Sequence, residues 1–174
     1  MFYFVRQGKT DYSERNTGIY QGFGAELAPL SEEGIKQIKK TAKDKQLKEA
    51  DIIISSPYTR ALQTAAILSR KLDVKIAVET DLHEWVADKS YNYVDDETAD
   101  RYYEEFAAGG GSYPEGGERP WEDAETIKKR VLAVLKKYAG YKKVIVVGHG
   151  MMIQAATGCA HPENGQIVKF RLED

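Results

Sequence analysis

The chain has 174 residues, 42% of them hydrophobic, with 25 basic and 27 acidic side chains and a formal net charge of −2. That length supports a domain with its own core, and the near balance of charge leaves no overall field to attract nucleic acid or an anionic membrane. A lone Cys159 excludes an intrachain disulfide, and His83, His149 and His161 fall at no spacing suited to zinc, so no metal or cofactor is implied.

In chain order, the apolar run Met1 to Val5 reads as a strand and is followed directly by Arg6-Gln7-Gly8-Lys9-Thr10. Its apolar stretch is too short for a secretion signal, and no later run approaches the length of a membrane span, so a cytoplasmic protein without a membrane partner is expected. Ser31-Glu32-Glu33 has a capping serine and two first-turn acids, then Ile35, Ile38 and Ala42 on one face of a helix. The lysines from Lys36 to Lys48 are interrupted by Asp44 and read as solvated surface. Ile52 to Ser55 is a second strand and Lys75 to Val78 a third, with a helix predicted over Thr59 to Lys71 between them. The segment Tyr91 to Tyr113 lacks a clean period outside Asp95 to Ala107, and residues 91–120 are read as an insertion over the site. Thr126 to Tyr138 carries the clearest helical stripe, with Gly140 as its expected C-terminal cap. Val144 to Val147 is a fourth strand that empties into Gly148-His149-Gly150, and Gln166 to Phe170 is a fifth. This alternation predicts an α/β fold: a three-layer sandwich with a mostly parallel central sheet and helices on both faces, in one domain over residues 1–174.

Open α/β sheets bind ligands beyond the carboxyl ends of their strands, so the loops after the first and fourth strands should share one crevice. Arginine suits phosphate because its planar fork donates two parallel charge-assisted hydrogen bonds, and Gly8 would let backbone donors approach an anion. Further landmarks occur in order: Gln21-Gly22, Leu30-Ser31-Glu32-Glu33-Gly34, and Ser55-Ser56-Pro57-Tyr58-Thr59-Arg60-Ala61-Leu62. After them come Leu82-His83-Glu84-Trp85, Pro114-Glu115-Gly116-Gly117-Glu118 and Val146-Val147-Gly148-His149-Gly150. Each is weak alone; together and in register they are specific.

On these residues nearly the whole chain resembles the histidine phosphatase family, also called phosphoglycerate mutase-like, whose signature is an Arg-His-Gly-Glu-Thr type loop after the first strand. The resemblance implies that Arg6 and Arg60 clamp phosphate oxygens, that His149 donates a further hydrogen bond, and that Glu84 protonates the leaving alcohol. It also implies donors from Thr10 and from Gln21-Gly22. The expected partner is inorganic phosphate or a small phosphorylated molecule.

Three residues depart from that pattern: Gln7 at the nucleophile position, Lys9 for the usual glutamate, and Ser13 where asparagine is common. An imidazole nitrogen has a lone pair that can attack phosphorus, whereas an amide nitrogen is delocalised into its carbonyl and is not nucleophilic. Loss of a nucleophile costs on the order of 10⁶ in rate, which a neighbouring hydrogen bond cannot offset. The leading expectation is therefore phosphate or phosphomonoester binding with the phosphohistidine step disabled, either in a natural pseudoenzyme or in an active phosphatase whose nucleophile was substituted. Two alternatives compete. One is direct water attack, with His149 as base and Glu84 as acid, which a protonated His149 would oppose. The other, weaker, reads Gly148-His149-Gly150 as a dinucleotide-binding turn, although the third glycine is absent.

Overall fold

The computed structural model describes residues 1–15, 23–115 and 117–172. Five strands form one sheet: β1 (Phe2–Arg6), β2 (Ile52–Ser55), β3 (Ile76–Val78), β4 (Val144–Gly148) and β5 (Ile167–Phe170), in the spatial order β3-β2-β4-β1-β5. All pairings are parallel except that of β5, which runs antiparallel to β1 with Phe2 opposite Phe170. The helices are α1 (Gly24–Leu27), α2 (Glu32–Thr41), α3 (Thr59–Leu72), α4 (Asp96–Ala108), α5 (Ala124–Lys137) and α6 (Gly150–Thr157).

The alternation of side chains along the strands divides the interior in two. Phe2, Phe4, Ile54, Val144 and Val146 pack with Ile127, Val131, Val134 and Leu135 of α5 and with Met152 and Ile153 of α6. Tyr3, Val5, Ile53, Ile145 and Val147 face the other way, onto Ile38 of α2 and Ala61, Ala65 and Leu68 of α3. Period-two strands between two helical layers thus give the predicted sandwich.

Helix starts follow local chemistry. Ser31 Oγ accepts from Gly34 N–H at 3.1 Å, and Asp95 and Asp123 cap α4 and α5 in the same way. Two expectations change. The stripe helix α5 ends at Lys137 and not at a Gly140 cap, because Tyr138 leaves the helical path and its hydroxyl donates to Glu79 at 2.8 Å. The dinucleotide reading also fails: after α6, Gly158 turns the chain at φ 72°, and β5 returns antiparallel, so the parallel βαβ unit that motif requires does not form.

Candidate active site

The parallel register brings three strand ends together. Arg6 lies opposite Gly148, Gln7 N–H donates to Gly148 O at 2.9 Å, and Ser55 lies opposite Val147. The loop after β1 and the turn into α6 are thereby neighbours, as the switch-point argument expected. Gln7 is 5% exposed, Arg60 5% and His149 0%. The Gln7 carbonyl accepts from Asn164 Nδ2 at 2.9 Å, so its backbone is fixed on both sides independently of its side chain.

Arg6 Nη1 donates to Pro162 O and Arg60 Nη1 to Ala25 O, yet the Nε of each is buried without a protein partner. So are Gln7 Oε1 and His149 Nδ1. The guanidinium of Arg60 lies 5.0 Å over the Tyr58 ring, and that ring packs 5.1 Å from the His149 imidazole.

Burial, followed by the charges of Arg60, His83, Arg130 and Arg6, holds His149 well below the ordinary histidine range. Burial, reinforced by these positive charges, thus disfavours the imidazolium form of His149. His149 Nε2 lies 2.7 Å from Ser56 Oγ, which already accepts from Tyr58 N–H at 3.3 Å. The serine hydroxyl can then donate to Nε2, which leaves the imidazole proton on the unpartnered Nδ1.

Glu84 sits at the start of α6. Its Oε1 accepts from Trp85 N–H at 2.9 Å and from Met152 N–H at 3.0 Å, and its Oε2 accepts from Met151 N–H at 3.2 Å. In this arrangement the carboxylate acts as an acceptor that completes the helix N-terminus. Thr10 is half-buried and its backbone bridges Leu30. Gln21 and Gly22 lie outside the described residues. Lys9 turns to Glu33 at 2.6 Å, and Ser13 N–H donates to Asp11 at 2.9 Å. Gly8 has a packing role. Its N–H donates to Thr64 Oγ1 at 3.3 Å, and a Cβ there would stand 2.5 Å from Gly34 O.

Sequence reasoning missed a buried pair that shapes this site. Arg130 and Glu122 form a bidentate ion pair at 2.6 and 2.9 Å, with side chains 11% and 4% exposed. The same guanidinium donates to the carbonyls of Asp81 and His83 at 2.6 and 2.9 Å, pinning the segment that carries Glu84. Arg130 lies between the apolar positions Ile127 and Val131 of α5, and no local pattern marks Glu122 as its partner.

A hollow of about 450 Å³ lies next to Arg60. Its wall includes Tyr58 and Ala25, which touch Arg60, whereas Arg6, Gln7, Arg60 and His149 do not line it. Tyr91 and Tyr93, from the segment read as an insertion, also line it.

The model of the histidine phosphatase superfamily (branch 1) matches residues 2–171. A Hydrogenobacter thermophilus protein named "Putative phosphoserine phosphatase 2" is 29% identical over 186 residues, covering 98% of this chain and 89% of that protein. Among solved structures, phosphoglycerate mutase from Bacillus anthracis aligns over 95% of this chain and 85% of its own, with a TM-score of 0.66 and 21% identity. A mycobacterial glucosyl-3-phosphoglycerate phosphatase, solved in complex with inorganic phosphate, aligns over 89% of this chain and 75% of its own, with a TM-score of 0.65 and 20% identity. At such identities these structures establish the shared phosphoglycerate mutase-like α/β fold.

Proposed function

The chain belongs to branch 1 of the histidine phosphatase superfamily, and on that footing we propose that it binds phosphate or a phosphomonoester in a cradle of Arg6, Gln7, Arg60 and His149, with the phosphohistidine step disabled by Gln7. One observation carries this reading. Of the six buried side-chain polar atoms without a protein partner among the described residues, four, Arg6 Nε, Gln7 Oε1, Arg60 Nε and His149 Nδ1, belong to the proposed cradle, and the others are Glu26 Oε2 and Trp85 Nε1. Buried polar groups are normally satisfied, and leaving one unpaired costs roughly 1–3 kcal/mol. An oxyanion would meet the three donors, and a half-turn of the Gln7 amide would add a fourth.

Binding would exchange the Arg6 and Arg60 contacts with Pro162 O and Ala25 O for charge-assisted bonds. Thr10 and Gln21-Gly22 are assigned as further donors by their family positions. Glu84 takes the acid position, but it must give up the Met151 N–H and gain a proton on Oε2 before it can donate. Direct water attack is the poorer reading. Burial and nearby positive charge lower the proton affinity of His149, and its Nε2 is engaged by Ser56 Oγ at 2.7 Å, which makes it a poor base for water.

The test is Gln7→His, assayed with an aryl phosphate beside the unsubstituted chain. The imidazole would enter a position whose backbone is already fixed, and turnover should rise on the order of 10⁴ to 10⁶, with an acid-labile phosphoenzyme. Comparable turnover by the unsubstituted chain would overturn the disabled-nucleophile reading. Absence of phosphate binding by either form would overturn the cradle itself.

A further inference from the structure

The hollow beside Arg60 has a chemistry of its own. Phe23, Tyr58, Trp85, Tyr91 and Tyr93 supply aromatic walls. Glu26, Asp88 and Asp96 supply three acids against one arginine, Arg15, which is already paired with Asp96 at 2.7 Å. Neither Glu26 nor Asp88 has a lysine or arginine within 4.0 Å among the described residues, and Glu26 Oε2 is buried without a hydrogen-bond partner. Tyr91, 71% exposed, has a backbone φ of 58°, in the left-handed region that non-glycine residues seldom adopt, and its hydroxyl lies 3.2 Å from His83 Nε2.

The basic groups of the proposed cradle and the acids of the hollow are thus neighbours of the same residue, Tyr58. Tyr58 contacts Arg60 and His149 and also lines the hollow, together with the other aromatic rings, His83 and the carboxylates of Glu26 and Asp88. Ring faces carry negative quadrupole density and attract cations, the more so when neighbouring carboxylates add net charge. A carboxylate-bearing alcohol finds only an arginine already in an ion pair. A neutral aromatic alcohol could stack, but would leave the acids without a counter-charge.

We infer that this hollow receives the alcohol part of a phosphomonoester bearing an organic ammonium group, so that the cradle holds the phosphate and the hollow the ammonium of one zwitterionic ligand. The inference rests on the cradle reading above and narrows it to a ligand class.

Calorimetric titration of the full chain with phosphocholine, its neutral isostere 3,3-dimethylbutyl phosphate, 3-phosphoglycerate and inorganic phosphate tests it. Phosphocholine should bind on the order of tenfold more tightly than the isostere, and 3-phosphoglycerate more weakly than either. Glu26→Gln and, independently, Asp88→Asn should each reduce the preference for phosphocholine over the isostere while leaving inorganic phosphate affinity unchanged. If inorganic phosphate binds but phosphocholine and the isostere bind equally, the inference fails and the cradle stands. If no phosphate compound binds, both fail. A preference for phosphocholine that both variants leave intact also overturns the assignment to this hollow.

Discussion

Arg60 offers the sharpest separation of function from stability. Its guanidinium is 5% exposed, and no carboxylate lies within 4.0 Å of it among the described residues. Arg60→Met keeps much of the apolar stem and removes the charge. If the guanidinium gives phosphate two charge-assisted hydrogen bonds, their combined loss is about 3 kcal/mol, or roughly 10²-fold in affinity. Without phosphate the sign reverses. Removing an uncompensated buried charge recovers several kcal/mol of desolvation, against about 1 kcal/mol each for the bond to Ala25 O and the contact with Tyr58. A net gain of about 1 kcal/mol would raise the melting temperature by roughly 2–4 °C in a chain of this size. Isothermal titration with phosphate and scanning calorimetry in phosphate-free buffer measure the two effects. A folded Arg60→Met protein whose phosphate affinity stays within about threefold of the unsubstituted chain would refute the clamp. A lowered melting temperature without phosphate would show instead that the arginine is there to hold the fold.

Breaking the buried Arg130–Glu122 pair should do the opposite. Glu122→Ala strands a buried guanidinium and should cost about 3 kcal/mol by urea denaturation, and a double-mutant cycle with Arg130→Met should recover much of it. Additive single and double effects would contradict the coupling. Acid should also destabilise the chain. Burial lowers both His83 and His149 from 6.5, so in the window just below that value the unfolded chain binds more protons than the native one. Stability is then fully present above about pH 6.5 and falls as the pH drops toward the folded-state values, by at most about 1.4 kcal/mol per pH unit for each histidine. Urea midpoints at pH 7.5 and pH 5.5 check this, and an unchanged or higher midpoint at the lower pH would contradict the assigned direction.

The fold was legible because its strands and helices announce themselves locally. Val144 to Val147 is buried on both faces and therefore reads as a continuous apolar run, the mark of a central parallel strand. The α5 stripe repeats at the helical period, and Ser31 with its first-turn acids signals the start of α2. The residues of the proposed site could be picked out because they cluster in short motifs next to strand ends. What each one touches was not legible. Nothing in the composition of Gln166 to Phe170 encodes that β5 runs antiparallel, and nothing beside Gly8 reveals that Gly34 presses against it.

Period, capping chemistry and order of elements are properties of neighbouring residues, so the sequence by itself determined the layered α/β fold and the strand ends where a ligand site would form. Electrostatic state depends on partners far apart in the chain, and only the tertiary structure decided it. Ser56 meets His149, Arg130 meets Glu122, and Glu84 caps α6 across separations that no local pattern records. The lowered proton affinity of His149 follows from the burial and positive charge gathered around it by folding, which no local pattern in the sequence records.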